Sequence, residues 1–232
     1  MTDDRHHGWK KGTTTRIQHS LVNSALDHLV YAVPDLARGI DRMERLLGVR
    51  PATGGQHPGW GTANALLALG PDVYLEVIGP DPNQPAPSRP RPFGIDQLSR
   101  ERMAGWAVKA ADLDARIRAS AARGYHPGRV FPGSRRRPDG TLLTWQLALP
   151  DTLQLPFDGL IPFLIDWQGT AAHPAAAAPS GCMLSDLRVE HPEPDQPRAL
   201  LDALGVDLTL TRGPAARLIA VIDSPAGRIE LA

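Results

Sequence analysis

A single cysteine, Cys182, among 232 residues excludes an internal disulfide and a cysteine-built metal cluster. That scarcity fits a reducing, cytoplasmic setting. Net charge is absent as well: 25 Lys and Arg balance 25 Asp and Glu. No global field therefore directs the chain to nucleic acid or to an anionic membrane. No apolar run approaches the roughly 18 residues that a membrane span requires. The Arg135-Arg136-Arg137 run and the Arg89 and Arg91 pair are local, and read as solvated loops rather than phosphate sites. Residues 1–24 lack an apolar leader core and read as a polar, mostly disordered tail, so His6 and His7 are left out of any site.

What remains is ordinary for a globular chain able to bury a real core: 42% hydrophobic and 22% charged residues. Its most informative stretch runs from Gly54 to Gly79. A glycine-rich turn carries His57, Trp60, Thr62 and Asn64. An apolar strand follows, a turn at Gly70-Pro71-Asp72, and a second strand, Val73 to Gly79, with Glu76 in its middle. A carboxylate within an apolar strand is costly unless it is paired, hydrogen-bonded or bound to a metal.

The order of elements around this stretch repeats. Leu26 to Val33 reads as a strand; Pro34-Asp35 opens a helix whose Leu36, Ile40, Met43, Leu46 and Leu47 share one face, and Gly48 stops it. After a proline-rich connector, 80–92, the pattern restarts. Met103 to Ala110 is a strand, Asp112-Leu113 opens a helix, and Arg129 to Phe131 is a short strand. Leu142 to Leu149 and Pro162 to Trp167 close the unit. A second connector, 170–180, leads to a third, shorter round: Leu184 to Glu190, a helix opened by Pro194-Asp195, and strands at 206–210, 217–222 and 228–231. Asp35, Asp112 and Asp195 recur about 80 residues apart, either as a true repeat or because Asp is favoured at helix starts. The expected fold class is α+β: repeated βαβββ modules forming a curved, cup-shaped mixed sheet, with helices outside. The expected boundaries are a tail over 1–24, a paired domain over 25–170 and a third unit over 180–232. Aligning Tyr31–Leu36 with Val108–Leu113 sets Gly105 opposite His28, and Asp166 is taken as the last-strand counterpart of Glu76.

The runs Asp27-His28-Leu29-Val30-Tyr31-Ala32-Val33-Pro34-Asp35-Leu36, His57-Pro58-Gly59-Trp60-Gly61-Thr62-Ala63-Asn64 and Tyr74-Leu75-Glu76 resemble the vicinal oxygen chelate superfamily, and within it the glyoxalase-like domain proteins. The resemblance covers residues 25 to 170. It implies paired βαβββ modules and, in many members, a divalent ion held by histidine and carboxylate from first and last strands. Substrates there chelate the ion through two neighbouring oxygens; other members are metal-free binding or resistance proteins. Carried over residue by residue, it implies His28, Glu76 and Asp166 as metal ligands, with zinc, manganese, iron or nickel as candidate ions.

Each residue has two readings. His28 is a ligand or a buried histidine satisfied by backbone; Glu76 is a ligand and catalytic carboxylate or a solvent-face residue. His57 is a third ligand, a general base or a rim turn. Trp60 and Trp167 wall a flat substrate or fill core, and Thr62 and Asn64 bind substrate oxygens or tie down the turn. His173 and His191, each before a proline, read as structural. The function classes open are a metal-dependent lyase, isomerase or dioxygenase, a metal-free small-molecule binding protein, and a purely structural module. The expected partners are a small molecule and a second copy of the chain, with no nucleic acid and no membrane.

Overall fold

The first strand, β1 (Leu26–Ala32), is buried along its whole length. In the computed structural model, which describes residues 25–136, 140–169 and 172–232, it lies between two partners. The expectations for residues 1–24 and for Arg137 fall outside the described residues. Helix α1 (Leu36–Leu47) follows as expected. The Asp35 side chain accepts from the Arg38 amide at 3.1 Å, and Gly48 ends the helix in the left-handed region. Strands β2 (Ala52–His57), β3 (Thr62–Gly70) and β4 (Val73–Pro80) complete the first unit.

The second unit consists of β5 (Arg102–Lys109), α2 (Leu113–Ala121), β6 (Arg129–Arg136), β7 (Leu142–Leu149) and β8 (Phe163–Asp166). Asp112 caps α2 through the Ala115 amide at 2.8 Å. Strand β6 runs five residues beyond the expected Phe131, because Pro132 and Gly133 look like breakers yet pair with Gln146 and Trp145 of β7.

These eight strands close into a barrel in the order β1-β4-β3-β2-β6-β7-β8-β5, with β5 returning to β1. Within each unit the first and last strands run parallel, β1 beside β4 and β5 beside β8. The units join antiparallel, through a long β1–β5 ladder and a single β2–β6 pair, Gln56 opposite Arg136. Alternation along β4 sends Leu75 and Val77 outward into the core shared with α1, and turns Tyr74, Glu76 and Ile78 into the barrel. In β1, Leu29 and Tyr31 face the same outer core, joined by Val33 just past the strand, while Val30 and Ala32 join the inner one.

Beyond the barrel, β9 (Met183–His191), α3 (Asp195–Leu204), β10 (Thr209–Arg212), β11 (Arg217–Ser224) and β12 (Gly227–Leu231) form a four-stranded sheet ordered β10-β9-β11-β12. The element order repeats that of the first two units, but the pairing does not. Here the first strand pairs with the second and third, β10 and β11, and not with the last. Asp195 is the first helical residue behind Pro194 and, unlike Asp35 and Asp112, does not supply the cap. The expected strand from Val206 begins instead at Thr209, since the Val206 amide still bonds back to Leu201 at the helix end. The sheet packs on the barrel through α3 against α2, β9 against β3 and β11 against β5. Among the described residues no helix is long and apolar enough to cross a membrane.

Candidate active site

The barrel encloses a cavity with one polar end and aromatic walls. Its volume is about 60 Å³, room for a few waters. His28, His57, Trp60, Thr62, Asn64, Glu76 and Trp167 all line it. Each arrives by strand parity: His28 from β1, His57 from the end of β2, Thr62 and Asn64 two apart on β3, Glu76 from β4. Trp60 stands at the β2–β3 turn and Trp167 just past β8.

At the polar end three titratable side chains converge. His28 Nε2 lies 3.7 Å from Glu76 Oε2, and His57 Nε2 lies 3.8 Å from Glu76 Oε1. Glu76 is buried, and its Oε1 accepts from the Asn64 amide at 2.5 Å. The other nitrogen of each imidazole is occupied. His28 Nδ1 lies 2.6 Å from Asp27 Oδ1, and His57 Nδ1 lies 2.9 Å from the Thr62 hydroxyl. Such partners fix the ring orientation and leave Nε2 facing the cavity. Tyr74 stacks on His28 at 4.7 Å, and Phe163 meets it edge-on at 5.4 Å.

Burial sets the electrostatics. It lowers His57 to about 4, opposed by the Glu76 charge and assisted by that of Arg135, so His57 is a neutral imidazole at neutral pH. Burial alone would raise the Asp27 carboxyl. Hydrogen bonds and charge from His173 and His28 overcome it and hold the group far below the usual carboxylate range. The Tyr74 phenol is pushed well up by burial and by the charges of Asp27 and Glu76, so it stays protonated.

Asp166 is a correction. Ile165 and Trp167 line the cavity, whereas Asp166 between them does not and accepts from the Gln168 amide at 2.7 Å. The strand ladders show why. Val30 pairs with Glu76, and its counterpart in the second unit, Ala107, pairs with Phe163. Phe163 is therefore the equivalent of Glu76. By the same offset Gly105 is the equivalent of His28, although across the β1–β5 ladder it pairs with Val30, and the space a side chain would fill there belongs to Leu155. The second unit thus supplies no ligand from either matched strand.

It supplies other groups that the sequence reading passed over. Arg135, expected in a solvated loop, is buried, lines the cavity and donates to Asn64 Oδ1 at 3.4 Å, while Arg136 is exposed. The signal was alternation, since Phe131, Gly133 and Arg135 are the inward positions of one strand. Gly54 makes the room: a Cβ built there would collide with Asn64 Oδ1 and Arg135 Nη1. Trp145 sits edge-on to His57 at 6.1 Å and packs on Trp167 at 5.2 Å. His173, expected to be structural only, reaches Asp27 from the connector. Arg89 lies over Trp60 at 4.7 Å, and Arg91 pairs with Asp96 at 2.6 Å.

A family model described as Glyoxalase-like domain matches residues 26–205. The chain belongs to that family, within the vicinal oxygen chelate superfamily. No curated protein matches it. Among solved structures it is similar to a hypothetical protein from Staphylococcus aureus, at 13% identity and a TM-score of 0.56, covering 88% of this chain and 83% of that one. It is also similar to a methylmalonyl-CoA epimerase from Mycobacterium tuberculosis, at 22% identity and a TM-score of 0.37, covering 65% of this chain and 91% of that one. A xylose isomerase-like TIM barrel/4-hydroxyphenylpyruvate dioxygenase fusion protein matches at 16% identity and a TM-score of 0.41, covering 89% of this glyoxalase-like chain and 31% of the fusion. Of the three, the first alone superimposes closely enough to speak to the fold, and at that identity it speaks to the fold alone.

Among the described residues no group of three or more His, Cys, Asp and Glu side chains is drawn up as a ready metal site. In kind, His28, His57 and Glu76 are a suitable donor set: two imidazole nitrogens and a carboxylate, with both Nδ1 atoms already engaged. An ion there would compete with Asn64 for Glu76 Oε1.

Proposed function

We propose that this glyoxalase-like protein is an enzyme that takes a small substrate into the barrel and handles two neighbouring oxygens of it at His28, His57 and Glu76. One observation carries the reading: two imidazole Nε2 atoms approach opposite oxygens of a single buried carboxylate, beside a cavity. Neutral His57 offers its Nε2 to a substrate oxygen without adding charge, and Glu76, oriented by Asn64, is able to remove or return a proton at a carbon next to a carbonyl. Thr62 holds the His57 ring. The aromatic walls, Trp60 and Trp167 among them, exclude water from the reacting atoms and flank a flat substrate. Isomerase or lyase chemistry by proton transfer follows from these side chains. The residues that would hold a divalent ion are His28, His57 and Glu76, a set suited to zinc, manganese, iron or nickel. When bound, such an ion polarises the substrate oxygens and stabilises the negative charge that develops.

The test is elemental analysis of protein purified without chelator, followed by titration with Zn²⁺, Mn²⁺, Ni²⁺ and Fe²⁺. Uptake by the wild type, abolished in His28→Ala and in Glu76→Gln without unfolding, is the expected result. A wild type that carries and gains no ion ends the metal part of the reading. A second reading, a metal-free binding protein that uses the same cavity, is favoured by Gly105 and Phe163, which leave the second unit without a ligand at the matched positions.

A further inference from the structure

Asp27 is completely buried, and its two oxygens serve three donors from three separate segments. Oδ1 takes the His28 Nδ1 proton at 2.6 Å; Oδ2 takes Trp167 Nε1 at 3.0 Å and His173 Nε2 at 3.1 Å. His173 stands in the connector between the barrel and the second sheet, outside all eight barrel strands. Its tautomer is set locally: Nδ1 accepts from the Ala175 amide at 3.3 Å, which leaves the proton on Nε2, facing Asp27. Its ring lies 5.5 Å from Tyr74, the residue stacked on His28, and so covers this shell from the connector side.

We propose that His173 is a positioning residue for His28, acting through Asp27, so that the barrel's site is completed by a segment beyond the barrel. The proposal rests on the reading of His28 as a site residue. An ionised carboxylate can only accept, so His28 must carry its proton on Nδ1 and present the Nε2 lone pair to Glu76 and the cavity. Trp167 alone can satisfy Oδ2. Without the His173 ring, however, water reaches a carboxylate that is now sealed. A water that comes between Asp27 and His28 can donate one proton to the carboxylate and the other to Nδ1, so the single His28 tautomer is no longer enforced.

The test is long-range ¹H–¹⁵N NMR of the histidine rings in the full chain, with the His28 signals assigned by their loss in His28→Gln. In the wild type at neutral pH, His28 should show a protonated Nδ1 and a bare Nε2, and His173 the reverse. In His173→Phe, which keeps the bulk and removes the donor, the two His28 nitrogens should move toward averaged shifts. His173→Gln, whose amide can donate to Asp27, should restore them in part. Zn²⁺ affinity, measured with the metal alone, should fall about tenfold or more in His173→Phe. Wild-type His28 shifts retained in His173→Phe overturn the proposal; should that variant fail to fold, a wild-type His28 that carries its proton on Nε2, or wild-type His28 shifts retained in His173→Ala, overturn it instead. A wild type that binds no Zn²⁺ removes the metal reading and leaves the tautomer result to decide this one.

Discussion

Asn64 donates to Glu76 at 2.5 Å across the β3–β4 ladder, although the two are diagonal rather than direct partners. Asn64 lies opposite Ile78, and Glu76 opposite Leu66. The diagonal offset lets a short amide reach a longer carboxylate on the same inward face. Behind the amide, Arg135 donates to Asn64 Oδ1 from the other half of the barrel. The carboxylate of the first unit is thus steadied by a chain that begins in the second.

Asn64→Leu should destabilise the protein by about 1–3 kcal/mol, because it leaves a buried carboxylate oxygen without its donor. Urea unfolding at neutral pH measures this. An unchanged midpoint would mean that Glu76 is satisfied in some other way, and the Arg135–Asn64–Glu76 chain would lose its structural meaning.

Gly54→Ala adds one methyl group where Asn64 and Arg135 already meet. Overpacking of a tight polar contact should cost about 1–3 kcal/mol. The damage should also be local: the Asn64 side-chain amide signals should shift in NMR, while the backbone amide signal of Asn83, which donates to Asp81 on the outer loop, stays in place. Gly54→Ala with wild-type stability and unmoved Asn64 signals would show that the barrel yields freely there.

His57 links stability to pH. Its folded value of about 4 lies below the ordinary 6.5, so the unfolded chain binds a proton that the folded protein refuses. The contribution is fully present above about pH 6.5 and is lost as pH falls through about 4, with a total of about 3 kcal/mol. Urea unfolding at pH 7 and at pH 4.5 should therefore show a steeper acid loss for the wild type than for His57→Gln. Equal losses would contradict a buried, neutral His57.

Much of this is legible in the sequence. Alternation in Val73 to Gly79 put Tyr74, Glu76 and Ile78 on one face, and the Asp35 and Asp112 caps marked the repeat. Thr62 and Asn64 followed from spacing alone. Closure of the barrel was not legible, because the second seam is one residue pair, Gln56 with Arg136, and nothing local announces such a contact. Asp166 failed for a related reason. A carboxylate near a strand end looked like the match for Glu76, but parallel register decides equivalence, and register placed Phe163 there. Arg135 was hidden in a run of three arginines, where composition suggested solvent and alternation pointed inward.

The charges around His57 give a last prediction with two opposite signs. Glu76 raises the His57 pKa and Arg135 lowers it, both against the larger lowering by burial. Glu76→Gln keeps the shape of the carboxylate and removes its charge, so the His57 pKa should drop below about 4. Arg135→Met keeps most of the length and removes the positive charge, so the His57 pKa should rise toward the ordinary value. Titration of the His57 ring signals by NMR in the wild type and the two variants reads both shifts on one scale. The pairing matters because a general loosening of the barrel would admit water in both variants and move His57 upward in each. A fall in one and a rise in the other is the pattern that only charge at these two positions produces. Two shifts of the same sign would sink the electrostatic account of the site.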